Sequence, residues 1–229
     1  CFIMVSNHHN PPKVNQKWFD VFAWYGRWYL GRHFHGVRLS THHDAPHGPR
    51  PGLPTLPHDR PVVVYCNHPS WWDPMILLRL CKELAPGRTH YAPIDAEAVE
   101  QYRFFEKIGF FGIDPDTRRG AVKFLRVSEA ILNTPGTALW VSAEGRFADV
   151  RERPAALRPG VAHLAARLPE LVLLPVALEY TFWDQPKPEA VVRCGEPIEA
   201  RDMAGLDVDT INQRLTDDLA SSMDTLAAE

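Results

Sequence analysis

Apolar positions along the chain fall into short blocks that switch between unbroken runs and helical spacing. The run V-V-V-Y-C at Val62–Cys66 is β-branched and continuous, the pattern of a strand buried on both faces. Over residues 74–84 the apolar positions Ile76, Leu77, Leu80, Cys81 and Leu84 recur one helical turn apart, with Asp73 in the N-cap place and Pro74 at the first helical position. The same alternation continues. Residues 90–93 read as a short strand, and Asp95 caps a helix running to Lys107 with Val99, Tyr102 and Phe105 on its apolar side. Phe110–Ile113 reads as extended, 117–132 as a helix, Pro135-Gly136 as a turn and Thr137–Ser142 as a strand. A polar, arginine-rich stretch fills 143–158. Beyond it comes a helix from Pro159 with Val161, Leu164, Ala165 and Leu168 on one face. Residues 171–178 form a strand that contains Pro175, which predicts an edge or irregular position. Residues 190–194 are a further strand. A C-terminal amphipathic helix over 208–226 has Ile211, Leu215, Leu219 and Met223 four apart. Strands alternating with helices predict an α/β domain with a mainly parallel central sheet flanked by helices.

The N-terminal part breaks this rhythm. Residues 1–16 are polar and expected to be loose, whereas 17–37 hold Trp18, Phe19, Phe22, Trp24, Tyr25, Trp28, Tyr29 and Leu30. Basic residues Lys17, Arg27, Arg32 and Arg38 interleave or follow them. An aromatic-rich helix of this kind either packs its stripe on the domain or lies in a membrane interface, where Trp and Tyr are favoured.

Composition narrows the field without choosing a function. With 229 residues the chain is long enough for one well-packed domain, and a net charge of −3 gives no global reason to expect a nucleic-acid partner. The 21 prolines point to long ordered loops, because apolar blocks recur throughout. Four scattered cysteines (Cys1, Cys66, Cys81, Cys194) without C-x-x-C spacing read as reduced thiols in a cytoplasmic setting. No apolar run reaches the roughly 18 to 20 residues needed to span a bilayer, and no basic-then-apolar leader pattern is present. The sequence starts at Cys1 rather than Met, which leaves an upstream segment open.

Chemistry concentrates in N-H-P-S-W-W-D-P, which directly follows the Val62–Cys66 strand. Ligands of α/β sheets bind beyond the carboxyl ends of the strands, where His68 stands. A separation of five residues lets a tight loop bring Asp73 back to the imidazole. A carboxylate on one ring nitrogen fixes the tautomer and raises the basicity of the other, which can then accept a hydroxyl proton. Taken alone, H-x-x-x-x-D is far more often an ordinary loop entering a capped helix than a catalytic pair.

The longer string resembles the signature of the glycerolipid acyltransferase superfamily, typified by the 1-acylglycerol-3-phosphate acyltransferases. Asn67, His68, Ser70, Trp72 and Asp73 match its first box position by position. The second box is similar to G-F-F-G-I-D through Asp114, but Pro115 stands where that family usually carries arginine, leaving its acceptor-binding role to Arg118 or Arg119. The third appears as V-S-A-E-G-R-F, with Glu144 and Gly145 matching and Arg146 one position early. L-R-P-G-V-A-H-L-A resembles the helix start that follows, and L-L-P-V-A-L-E-Y the fourth box. The similarity spans residues 60–180.

The resemblance implies an acyltransferase (transferring groups other than aminoacyl groups) with His68 as general base and Asp73 orienting it. A fatty acyl group would pass from acyl-CoA or acyl carrier protein to a hydroxyl of a lysophospholipid or glycerol-phosphate-type acceptor. Glu144, Gly145, Arg146, Arg118 and Arg119 would bind substrate, since guanidinium groups make paired charge-assisted bonds to phosphate. Trp71, Trp72 and the aromatic N-terminal segment either line the acyl chains or pack in the core. No metal or bound cofactor is implied, and the thioester is a co-substrate. Two regions follow: 1–40, a polar tail plus aromatic segment, and 41–229, a single acyltransferase domain associated peripherally with the inner face of a membrane. The departures in boxes two and three keep two alternatives open, a non-glycerolipid hydroxylated acceptor or a catalytically silent lipid-binding relative.

Other constellations carry less. His8-His9, His33 with His35, and His42-His43 with His47 lack carboxylate or cysteine partners at ligand spacing, so solvated loop histidines are the reading. No G-x-S-x-G elbow occurs. Cys66 lies near His68, but strand alternation turns it into the core.

Overall fold

The computed structural model describes residues 10–41 and 51–229. Cys1, His8, His9, His42, His43 and His47 lie outside the described residues, as does most of the polar tail.

Alternation within one strand sets the layering. Strand β2 (Val62–Cys66) sends Val62, Val64 and Cys66 into one apolar cluster and Val63 and Tyr65 into another on the opposite face. Helices must cover both faces, which gives three layers. On the first face lie α1 (Gln16–His33) and α2 (Asp73–Leu84). On the second lie α5 (Arg118–Leu132), α6 (Gly160–Arg167) and α7 (Val208–Ala227).

The remaining strands are β1 (Gly36–Leu39), β3 (Thr89–Asp95), β4 (Phe110–Ile113), β5 (Thr137–Ser142), β6 (Val172–Thr181), β7 (Glu189–Cys194) and the short β8 (Ile198–Glu199). Their order is β1-β7-β6-β2-β5-β3-β4, with β8 beside β6. The strands β2, β3, β4, β5 and β6 run parallel, while β7 and β8 pair antiparallel with β6. The mainly parallel α/β sheet expected from the alternation is therefore present. Because β2, β5 and β6 are central and parallel, their carboxyl ends open together at one edge.

Three local expectations need correction. The first concerns Pro175, which lies in the central strand β6 rather than at an edge. On its β7 side the pairing changes from β8 at Leu173 to β7 at Val176. The Pro175 carbonyl accepts from the Gly195 amide at 2.9 Å, so the proline nitrogen points to the same break, where no ladder donor is required. Gly195 allows that approach, since a Cβ there would meet the Pro175 ring at 2.8 Å.

Second, the helix after Asp95 is two short helices, α3 (Ala96–Gln101) and α4 (Phe104–Lys107). Asp95 does cap α3 through the Glu97 amide at 2.8 Å. The break lets Phe104 turn its ring onto Phe22 of α1, with centroids 5.5 Å apart, and Phe105 onto Phe110 at 5.4 Å. Third, Asp73 is not the cap of α2. It is the first helical residue, and Trp72 precedes it without a side-chain cap bond.

Helix α1 has two unlike sides. Phe19, Ala23, Gly26 and Leu30 are buried against the sheet layer, and Phe19 stacks on the buried His90 at 5.4 Å. His90 accepts a 3.1 Å bond from the Trp140 indole, and burial lowers its pKa to about 4, keeping that acceptor nitrogen unprotonated. The other side of α1 exposes Trp18, Val21, Trp24 (69 % exposed), Tyr25 and Trp28. Both readings of the aromatic segment thus find a face. Strand β1, which the hydrophobic pattern does not signal, follows α1 and pairs parallel with β7.

Candidate active site

The loop between β2 and α2 is fixed to the sheet by a side chain that imitates a strand. Asn67 donates from Nδ2 to the Leu178 carbonyl at 2.9 Å and accepts at Oδ1 from the Leu178 amide at 2.8 Å, continuing the β2–β6 ladder one step past the last paired residue. Its neighbour His68 is held by both backbone groups. The His68 amide donates to Glu144 Oε2 at 2.7 Å, and its carbonyl accepts from the Ala148 amide at 3.0 Å. Burial raises the Glu144 pKa, and the His68 amide works against that by stabilising the carboxylate.

His68 and Asp73 meet as the spacing implies. Nδ1 of His68 lies 2.6 Å from Asp73 Oδ2. A carboxylate only accepts, so Nδ1 carries the proton and Nε2 presents its lone pair. Nε2 has no hydrogen-bond partner among the described residues, and the side chain keeps 19 % of its surface open. Asp73 is wholly buried, at 0 % exposure. Its Oδ2 also accepts from the Ser70 amide at 3.2 Å, and its Oδ1 accepts from the Tyr180 hydroxyl at 2.6 Å. Both carboxylate oxygens are thus engaged in a water-poor site, which explains why the side chain is not spent on capping α2.

Aromatic rings frame the dyad. Phe147, 58 % exposed, stacks over the His68 ring with centroids 4.3 Å apart and covers its face rather than its Nε2 edge. Trp72 packs among Tyr29, His33 and Phe34 at the end of α1, while Trp71 stands 66 % exposed against it. Cys66 is fully buried with its thiol pKa pushed far up by burial, so it stays a thiol and is no nucleophile.

The other candidate residues occupy the loop after β5 and the start of α5. Gly145 has φ +64°, and a Cβ there would lie 2.3 Å from Arg158 Nε; glycine is required on both counts. Arg158 joins the two loops: its backbone amide bonds the Ala143 carbonyl at 2.9 Å, and its guanidinium bonds the Pro115 carbonyl and Asp116 Oδ1, the latter at 2.6 Å. Arg146 is exposed and paired with Glu152. Arg151 pairs with Asp149 at 2.7 Å and Arg153 with Asp224 at 2.5 Å. Arg118 and Arg119 are exposed on the first turn of α5, beside the loop that Arg158 ties down.

The sequence therefore names the dyad and, within the matching strings, Asn67 and Glu144, but not what those two side chains hold. Asn67 was legible as part of the matching string, not as a ladder mimic. Tyr180 leaves only the faint signal of a polar aromatic at the end of an apolar strand, and Arg158 closes an arginine run that reads either as solvated or as attracting phosphates, with nothing to mark its contacts between two loops. Glu144 stands where the string put it, with its carboxylate on the His68 backbone.

Comparison with known proteins agrees with this geometry. A protein-family model described as Acyltransferase matches residues 51–179. No curated protein matches the chain. The matched span opens before β2, runs through the His68–Asp73 loop and ends on β6 one residue before Tyr180. It covers more than half of the 229 residues, and on that match the chain belongs to the glycerolipid acyltransferase family.

Proposed function

We propose that the protein transfers a fatty acyl group from a thioester, acyl-CoA or acyl carrier protein, to a lipid hydroxyl, with His68 as general base. The observation that carries this reading is the pairing of an engaged Nδ1, 2.6 Å from Asp73, with an Nε2 that has no partner among the described residues, beyond the carboxyl end of β2. The acceptor hydroxyl gives its proton to Nε2 while its oxygen attacks the thioester carbonyl. The tetrahedral intermediate collapses to an ester and expels the thiolate, which takes the proton from the imidazolium. The acceptor supplies the nucleophile, so no acyl-enzyme forms. General-base assistance of this kind contributes roughly 10²–10⁴-fold.

Support for a lysophospholipid or glycerol-phosphate acceptor comes from Arg146, with Arg118 and Arg119 near by. Arg146 already holds Glu152, so an anionic headgroup takes its place by exchange. That pairing, with those of Arg151, Arg153 and Arg158, balances much of the charge in the loop and favours a second reading, a neutral hydroxylated lipid.

The exposed Trp18, Trp24, Tyr25 and Trp28 face of α1, with Arg27 and Arg32 beside it, fits peripheral seating in a membrane interface. No helix among the described residues is long and apolar enough to cross a membrane.

Purified protein is incubated with long-chain acyl-CoA or acyl carrier protein and a panel of lysophospholipids and neutral hydroxylated lipids, and products are read by mass spectrometry. An acylated acceptor that His68→Ala does not form supports the proposal. Lipid binding without product from either donor overturns it and leaves a binding protein.

A further inference from the structure

The proposed mechanism uses one oxygen of Asp73 and leaves the other to Tyr180. The position is specific. Asp73 has no exposed surface, and among the described residues no lysine or arginine side chain bonds its carboxylate. Within them its negative charge is met by hydrogen-bond donors: His68 Nδ1, the Ser70 amide and the Tyr180 hydroxyl at 2.6 Å. The tyrosine approaches from the far side of the loop, on β6, two residues beyond the Leu178 backbone that holds Asn67. One strand thus fixes both ends of the catalytic loop. Phe34, at the end of α1, packs on both Tyr180 and Trp72, at 5.8 and 5.0 Å, so the phenol ring is held from outside.

We infer that Tyr180 is a positioning residue of the dyad, whose hydroxyl fixes the Asp73 carboxylate for His68 and sets how strongly that carboxylate draws a proton onto the imidazole. Burial and the adjoining Asp73 charge hold the phenol far above its usual pKa, so it remains a donor across the working range. Donation to Oδ1 disperses charge that otherwise favours imidazolium. Loss of the hydroxyl concentrates the charge, raises the proton affinity of His68 and reduces the fraction of free base near neutrality.

Other titratable groups near the dyad are few. Cys66 on β2 stays a thiol. Glu144 holds the His68 amide from the loop after β5, with Arg146 and Glu152 beyond it. His33 of α1 packs on Trp72. Glu179 precedes Tyr180 and points to the opposite face of β6. All are unchanged by a substitution at Tyr180, so a difference from wild type isolates the hydroxyl.

The inference rests on the reading of His68 as the base, but its test does not require turnover. The titration of His68 is followed by NMR in the full chain without substrate, its resonance assigned by loss in His68→Ala. In Tyr180→Phe, which keeps the ring against Phe34, the His68 midpoint is expected to rise by about one pH unit, the effect of losing a bond to a buried charge. Replacement of Tyr180 alone by 3-fluorotyrosine makes the donor more acidic and moves the midpoint down. In turnover, Tyr180→Phe lowers kcat on the acid limb of the pH profile by up to about tenfold, shifts that limb upward and leaves both KM values nearly unchanged. A His68 midpoint that stays put in both proteins overturns the inference, as does a loss confined to KM. A midpoint that moves as expected in a protein without acyl transfer sustains the coupling and rejects only the proposed function.

Discussion

The floor and the rim of the site are built by opposite rules. At the floor, Asn67, His68 and Asp73 are buried or nearly so, and among the described residues every side-chain polar atom of the three except His68 Nε2 has a fixed partner on β6 or within the box itself, while the His68 amide is held from the loop after β5. At the rim, Arg146, Arg151 and Arg153 are held by carboxylates in solvent, where such pairs are screened and exchange readily. The floor fits chemistry that needs one geometry. The rim fits recognition, where one counter-ion can replace another. Substitutions at the floor should therefore act on kcat, and those at the rim on KM or on association.

Three substitutions test that division, from the largest effect to the smallest. Asp73→Asn keeps the shape of the floor but removes the charge that supports the imidazolium, and kcat is expected to fall on the order of 10²-fold with donor and acceptor KM nearly constant. An equal fall in binding would dissolve the contrast. Replacing both Trp24 and Trp28 by Ser removes two exposed indoles from α1 without touching its buried stripe. Sedimentation with anionic vesicles should weaken by about tenfold, while turnover of a monodisperse short-chain acceptor stays at wild-type level. Unchanged sedimentation would take the interfacial role away from α1. Arg146→Ala should raise the KM of an anionic acceptor about two- to tenfold and leave the donor KM alone. Equal effects on donor and acceptor would remove Arg146 from headgroup recognition.

Much of this contrast is legible in the sequence at the floor and little of it at the rim. A continuous apolar strand followed by a fixed spacing of His and Asp records a local geometry, because the six residues between β2 and α2 leave few ways to fold. The helix stripes of α2, α6 and α7 are legible for the same reason, since their period is local. What the sequence withholds is whatever depends on a distant strand. Pro175 reads as either an edge or an irregular position, and only the break between β8 and β7 beside it decides for the second. Asp73 reads as a cap until Tyr180 is found 107 positions away. Arg158 has no local signal at all, because its contacts with Gly145 and Asp116 are made by two loops that meet only in the fold. The short strand β1 lacks a period of its own and exists through its pairing with β7.

The central claim, that Nε2 of His68 deprotonates the acceptor, is tested most directly by acceptor-dependent thiol release from the thioester donor in wild type and in His68→Ala, with matched melting temperatures. The account predicts release that requires the acceptor, falls about 10²–10⁴-fold in the variant and leaves no acyl group on the protein by intact mass. Release at the wild-type rate in a folded His68→Ala protein would contradict it.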